Sequence, residues 1–441
     1  MKLYSTKNKQ ELVSLKEAVL KGLPQDNGLY MPTSIPALPL DFIQNLPSFS
    51  FKEIAFTVSK TLLGKAIPED DLHAIIDKSI TFSAPVIQLK DNIHILELFH
   101  GPSLAFKDFG ARFMAQLMSY FNKGQDKELI ILVATSGDTG GAVAAGFHHT
   151  PGIQVVILYP SEKVSFLQEK QLTTLGGNIT ALEVDGTFDD CQALVKKAFL
   201  DQSLCNHLRL SSANSINIAR LIPQSFYYFE AFKQIKSNQE KVVFCIPSGN
   251  FGNLTAGLLA QKMGLPIDHF IAATNVNDVV PVYLKSGAYT PKPSIRTISN
   301  AMDVGNPSNF ARMIDLYSNK ATSNGSTWNN MRSAISGYQF TDNETKDVMR
   351  SVYQQHQYIL DPHGAVGYLA LQKYQEHNPK ALGIILETAH PAKFKDDVDD
   401  ILGHTTPIPE RLADLANREK EAIQTPNDFT VFKSWLLDNF K

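Results

Sequence analysis

The chain has 441 residues, 43% hydrophobic and 19% charged, a balance that suits a globular protein of two or three domains and excludes a fibrous or disordered one. Its 41 Lys and Arg against 44 Asp and Glu leave a formal charge of −3, with no basic excess or single-sign run to attract nucleic acid or a membrane. Cys191, Cys205 and Cys245 are odd in number and widely spaced, which fits neither a disulfide framework nor a zinc site, so no metal is expected.

The first residues, MKLYSTKNKQELVSL, carry no apolar run behind their lysines, and nowhere do about eighteen apolar residues follow one another. A cytoplasmic location is the expectation. Residues 1 to about 80 read as mostly helical, with a proline-dense connector from Met31 to Leu40 that is unsuited to a central strand and marks a separate N-terminal cap.

From Ile93 short apolar runs alternate with glycine-rich turns and helical patterns. IHILEL (93–98), LIILVA (129–134), IQVVILY (153–159), ITALEV (179–184), VVFCI (242–246), FIAA (270–273) and GIILE (383–387) predict parallel strands buried on both faces of an α/β protein. In such sheets ligands sit beyond the carboxyl ends of the strands. The chain should close with two C-terminal helices split at Thr425-Pro426, the second carrying Phe432, Trp435, Leu436 and Phe440 into the core.

Between the first two runs lies ELFHGPSLAFKDFGARFMAQ, residues 97–116. Phe106, Phe109, Phe113, Leu117 and Tyr120 recur at spacings of three and four and put an apolar stripe on one helix face. Lys107 lies one residue off that stripe, against a dry wall that disfavours its ammonium form. A neutral amine can attack an aldehyde, which is what a Schiff-base lysine must do; an ordinary exposed lysine in a first helical turn is the alternative.

Three strand exits are unusual. After VVFCI comes PSGNFGN, in which Gly249 and Gly252 bring the backbone close to a ligand while Asn250, Phe251 and Asn253 precede a helical stretch, a cradle for a phosphate or simply an asparagine-capped turn. After LIILVA comes TSGDTGG, whose Ser136, Asp138 and Thr139 could meet a substrate carboxylate or an oxygen on a cofactor ring, or serve only as N-cap chemistry. After GIILE, Thr388 could offer a neutral hydroxyl to a ring nitrogen. A fourth segment, SSANSINIAR, sets Asn214 and Ser215 ahead of a helix bearing Arg220, a donor set for a second phosphate or a paired surface arginine. His363, His390 and Lys393 take no assignable role from the sequence.

No Gly-x-Gly-x-x-Gly, Walker loop, His-Glu-x-x-His or Gly-x-Ser-x-Gly occurs. A glycine-asparagine phosphate cradle together with a candidate Schiff-base lysine points to pyridoxal 5'-phosphate.

HGPSLAFKDFG, TSGDTGG, NSINIAR, PSGNFGN and ETAHPAKF, in this order, resemble the threonine synthase family, and the opening from KLYST to QDNGLYMP extends the likeness over nearly the whole chain. The resemblance implies the tryptophan-synthase-β type of fold, with two parallel-sheet α/β domains, an additional mostly helical N-terminal domain (1–90), a catalytic region (91–400) and C-terminal helices (401–441). It implies conversion of O-phospho-L-homoserine and water to L-threonine and phosphate by γ-elimination and β-addition, the last step of threonine biosynthesis. By motif, Lys107 is the Schiff-base lysine, Gly249 to Asn253 hold the cofactor phosphate, Thr388 faces the pyridine nitrogen, and Asn214, Ser215 and Arg220 hold the substrate phosphate. Asp138 stands where many relatives of the fold have an asparagine toward the ring oxygen; longer threonine synthases also read SGDTG there. A serine or threonine dehydratase, needing no second anion site, is the rival enzyme reading. A binding protein that keeps the fold without the chemistry is the rival outside enzymes.

Overall fold

Near-continuous Val, Ile and Leu runs can satisfy their backbone groups only by pairing with one another, and they then need helices over both faces. The computed structural model describes residues 1–235, 240–318 and 326–440. It places strands β1 (Lys2–Ser5), β2 (Asn8–Ser14) and β3 (Tyr30–Pro32) first. Next come β4 (Val86–Lys90), β5 (Ile93–Glu97), β6 (Leu129–Ala134), β7 (Ile153–Pro160), β8 (Ile179–Asp185) and β9 (Arg209–Ser212). Then follow β10 (Val242–Pro247), β11 (His269–Thr274), β12 (Ile335–Gln339), β13 (Leu382–Glu387) and β14 (Ile423–Pro426).

Two sheets carry the α/β region: one ordered β12-β11-β10-β13-β5-β4, the other β14-β8-β7-β6-β9. All their pairs are parallel except β4 with β5. The chain begins the first sheet, leaves to build most of the second, returns to finish the first, and ends by adding β14 to the edge of the second. Six of the seven sequence runs lie within one of these strands, IHILEL overruns β5 by Leu98, and β6, β10 and β13 are buried throughout.

The N-terminal region holds helices Leu15–Lys21, Leu40–Gln44, Phe51–Leu63 and Glu69–Ser79, and also a three-stranded antiparallel sheet, β2-β1-β3, that the helical reading did not anticipate. β1 and β3 have only four and three residues and β2 is polar and largely exposed, so their period is weak in sequence. The helix Phe51–Leu63 starts at a capping box in which Ser50 and Glu53 satisfy each other's backbone N–H groups. At the C-terminus the helices Glu410–Ala416 and Phe429–Asn439 flank Thr425-Pro426, and the break is taken up by β14. Pro426 is tolerated there because it ends an edge strand, where a missing N–H breaks no ladder. Phe432 and Leu436 are buried beneath that sheet.

The lysine helix and the end of β13 are stitched together. β5 and β13 are neighbours, and beyond them Leu98 N–H donates to Glu387 O (3.0 Å), Phe106 N–H to Thr388 O (2.9 Å) and His390 N–H to Leu104 O (3.0 Å). The middle of the stripe is as expected, with Phe109, Phe113 and Leu117 of helix Lys107–Asn122 buried and Phe109 against Phe82 (4.6 Å) and Tyr227 (5.3 Å), while Phe106 and Tyr120 at its ends are half-buried.

Gly364 tests how tightly the β13 exit is packed, because a Cβ there would land on the Glu387 carboxyl, itself bound to the Asp361 N–H at 2.5 Å. Gly364→Ala should cost about 1–3 kcal/mol by overpacking, read as a lower denaturant midpoint. An unchanged midpoint would mean that the carboxyl has somewhere to move.

Candidate active site

The exits of β5, β6, β9, β10 and β13 converge on one cavity of about 100 Å³ between the two sheets. Its wall includes Lys107, Ser136, Thr139, Ser215, Arg220 and Thr388, together with all of Gly249 to Asn253. Asn214 and Asp138 are not on that wall. A larger cavity of about 580 Å³ adjoins it, and Ser136, Phe188, Asn300 and Asp303 line both.

Lys107 opens the helix Lys107–Asn122 with its Nζ 5.7 Å from the Phe106 ring centre. Among the described residues its ammonium has no hydrogen-bond or ion-pair partner. Burial pushes its pKa down to about 8; Asp138 pulls upward, while Lys393 and Arg220 add to the lowering. The side chain is still partly open to the cavity, so the amine is dry yet reachable.

The β10 exit forms a cradle. Phe251 adopts φ +58, the left-handed region rarely used by non-glycine residues, just before helix Gly252–Lys262. A Cβ on Gly249 would come within 2.5 Å of Ala301 O, so only glycine lets these two chains meet. Asn253 Oδ1 accepts from Tyr227 Oη (2.6 Å) and Tyr228 Oη (2.8 Å), which fixes the amide. Its Nδ2 is buried with no partner among the described residues, a donor kept for something in the cavity.

The β9 exit supplies a second donor set. Arg220 is 2% exposed, and its Nη1 donates to Ala213 O at 3.1 Å while Nε is buried and unpartnered among the described residues. Burial lowers its pKa to about 10, with Asp108 opposing, and the group stays charged at neutral pH. Ser215 Oγ accepts from Asn309 Nδ2 (3.2 Å). Asn214 fastens the loop instead, its Nδ2 donating to Ala134 O at the end of β6 (3.0 Å).

At the β6 exit the Thr135 hydroxyl accepts from Gly137 N–H (3.0 Å) and Gly140 N–H (2.8 Å), closing its own loop and leaving Ser136 and Thr139 toward the cavity. Asp138 is 5% exposed and pairs with Lys393 Nζ (2.7 Å) and Gln168 Nε2 (3.0 Å). Burial raises its pKa, but Lys393 and Lys107 more than offset this and hold the carboxyl below its usual range. Thr388 lies on the wall and, among the described residues, its hydroxyl is uncommitted.

Sequence reasoning had no place for Lys393, His363 or His390. Lys393 is the partner of Asp138. His363 also lines the cavity, with Nδ1 2.5 Å from Asp361 Oδ1 and Nε2 accepting from Ala301 N–H (3.2 Å), so it holds the segment that packs on Gly249. His390 Nδ1 accepts from Ala392 N–H (3.1 Å). Asn309 and Arg312 lie outside every motif, and nothing in their local sequence marks them.

Family models match along the chain: "Threonine synthase N terminus" at residues 2–80, "Pyridoxal-phosphate dependent enzyme" at 81–386 and "Threonine synthase, C-terminal" at 364–435. The threonine synthase of Escherichia coli (strain K12) is 44% identical over 440 residues, covering 100% of both chains. That of Saccharomyces cerevisiae (strain ATCC 204508 / S288c) is 36% identical, covering 93% of this chain and 92% of its own. The crystal structure of the E. coli enzyme superposes with a TM-score of 0.92 over 99% of this chain and 100% of that one, at 44% identity. The "PLP bound Threonine synthase from Brucella melitensis" gives 0.92 at 35% identity over 100% of each. A threonine deaminase from Solanum lycopersicum, 16% identical over 85% of this chain and 97% of its own with a TM-score of 0.55, shares the fold alone. No described helix is long and apolar enough to cross a membrane. Matched from end to end by these models and relatives, the chain belongs to the threonine synthase family of pyridoxal-phosphate-dependent enzymes.

Proposed function

We propose that the substrate is O-phospho-L-homoserine, converted with water to L-threonine and phosphate, and that the residues of the cavity divide the work as their chemistry suggests. The observation that carries this reading is the second anion site. Arg220 is a buried guanidinium with an unused Nε, on the same cavity as a separate glycine-asparagine cradle. A substrate without a phosphate would leave that charge uncompensated.

The donors present fit pyridoxal phosphate. Gly249 to Asn253 would hold its phosphate through backbone N–H groups at a helix N-terminus and through Asn253 Nδ2. Thr388 would meet the pyridine nitrogen with a neutral hydroxyl, and Lys107 would hold the aldehyde. When bound, the cofactor supplies that aldehyde to the substrate amine and a conjugated ring that takes up charge released at the α carbon.

Lys107, once displaced by the substrate amine, is positioned to move protons at the α and β carbons as base and then acid, with a pKa near working pH. Ser136 and Thr139 orient the substrate carboxylate. Arg220 and Ser215 hold the γ-phosphate and neutralise charge as it leaves, while Asn214 keeps their loop in place. Asp138 reaches Lys107 through its charge and counters part of the desolvation.

Lys107→Ala should abolish threonine and phosphate release, and borohydride reduction followed by peptide mapping should label Lys107 in the wild type alone. An active alanine variant would end the proposal. Arg220→Ala should lower kcat/KM for O-phospho-L-homoserine by about 10²–10³ with the cofactor absorbance intact, the loss expected for a charged donor on a developing anion. Loss of the cofactor instead would mean that the two anion sites are exchanged.

Because burial lowers the Lys107 pKa, the neutral amine grows as pH rises toward about 8 and saturates above it. The rate at which apoenzyme captures pyridoxal phosphate, followed by stopped-flow absorbance, should climb over the same range and level off. A rate still rising at pH 10 would show an unperturbed lysine.

A further inference from the structure

Arg312 lies on helix Phe310–Ser318, away from the cavity wall, and is 0% exposed. A guanidinium withdrawn from water is costly unless its donors are all used. Here Nε donates to Tyr30 O (3.2 Å), Nη1 to Ser215 O (3.0 Å) and Asn309 Oδ1 (2.7 Å), and Nη2 to Ile216 O (2.6 Å). No carboxylate pairs with it among the described residues, and burial takes its pKa down to about 9. Two of its four acceptors belong to the loop that carries the second anion site. A third, Asn309, passes the contact on, since its Nδ2 donates to Ser215 Oγ (3.2 Å) and its backbone N–H to Asn250 O in the cofactor cradle (3.2 Å).

We infer that Arg312 is a positioning residue for the substrate-phosphate loop, fixing Ser215 from behind and tying that loop to the N-terminal sheet through Tyr30. The inference rests on the functional reading above, that Ser215 and Arg220 receive the phosphate of the substrate. It also gives the N-terminal sheet a part in recognition. The same helix receives Tyr4 Oη on Asp315 Oδ2 (2.6 Å) and Lys9 on Asp315 Oδ1 (2.6 Å), so β1, β2 and β3 meet it on one docking face that includes the Arg312 contact. A planar five-donor fork is needed for this; a lysine cannot reach four acceptors in one plane.

The test compares O-phospho-L-homoserine with L-homoserine, each titrated against holoenzyme by the change in cofactor absorbance, in wild type, Arg312→Gln, Arg312→Lys and Asn309→Ala. The expected result is a rise of about 10- to 100-fold in half-saturation for the phosphorylated amino acid in Arg312→Gln, the size of a lost charged hydrogen-bond set, with L-homoserine within about twofold. Asn309→Ala cuts the link to Ser215 while leaving the guanidinium in place, and should show the same selectivity, at about tenfold, even if Arg312→Gln does not fold. Equal losses for both amino acids, or none, would overturn the inference, as would full recovery in Arg312→Lys, which would reduce the role to charge. A wild type that does not distinguish the two amino acids would instead sink the functional reading beneath it.

Discussion

Lys107, Arg220 and Arg312 are cations withdrawn from water that are ion-paired with no carboxylate among the described residues, and all three surround or support one cavity. Such charges lose hydration without a fixed counter-charge to replace it, which is why burial is the leading cause of the lowered pKa of each. The nearby acids do not balance them. Asp138 is already claimed by Lys393, and Asp108, whose carboxyl accepts from Ser103 N–H (2.8 Å) and is raised to about 6 by burial, forms no ion pair with any of the three. A dry site with surplus positive charge is complementary to anions, and a phosphorylated cofactor together with the phosphorylated substrate proposed above would supply two. On that reading affinity and activity would draw on the same imbalance, because charge collecting on a leaving phosphate would meet donors that need no reorganisation.

The interleaved sheets are what allow the imbalance to be built. Lys107 and Thr388 come from segments nearly three hundred residues apart in sequence, but their strands are neighbours and the chain beyond each is bonded to the other, so their separation is set by backbone. The Gly249 to Asn253 turn leaves β10, next to β13 in the same sheet, whereas Ser136 and Ser215 arrive from β6 and β9 of the other sheet. Groups that would bind the cofactor phosphate and ring therefore rest mainly on one sheet. Groups that would bind the substrate carboxylate and phosphate rest mainly on the other, so any change in the spacing of the sheets alters substrate contacts more than cofactor contacts.

What the sequence made legible are features whose cause is local. β-rich runs, glycine pairs at strand exits and the aromatic period after Lys107 each follow from two or three neighbouring residues, and each lies where the pattern suggested. Asn214 shows where local reasoning ends: an amide beside a serine and an arginine reads as a phosphate donor, but nothing nearby in sequence shows that one of its two Nδ2 hydrogens ties the loop to the end of β6. Arg312, Asn309 and Lys393 could not be assigned because their roles consist of contacts with distant segments, and neither their neighbours nor their spacing differs from those of surface residues. The three-stranded N-terminal sheet escaped for another reason. β2 is almost wholly exposed, so no alternation of apolar residues announces it.

The pair of Asp138 and Lys393 accounts for an aspartate in a loop where an asparagine would bring no charge. A carboxylate buried here alone would either protonate or destabilise the fold by several kcal/mol, and replacing it with a neutral amide would avoid both. Lys393, 1% exposed and held also by Ser103 O (2.8 Å), removes the difficulty by keeping the carboxyl ionised. The consequence falls on Lys107. Asp138 raises its pKa against burial, Lys393 and Arg220, so the amine stays within reach of neutral pH and does not fall far below it. Lys393 follows β13 in one sheet, Asp138 follows β6 in the other, and Ser165 Oγ donates to Lys393 O (3.1 Å) across the same gap. The proton affinity of Lys107 is thereby coupled to how closely the two sheets meet: moving them apart would expose the ion pair to water, weaken the pull of Asp138, and return hydration to the amine at the same time.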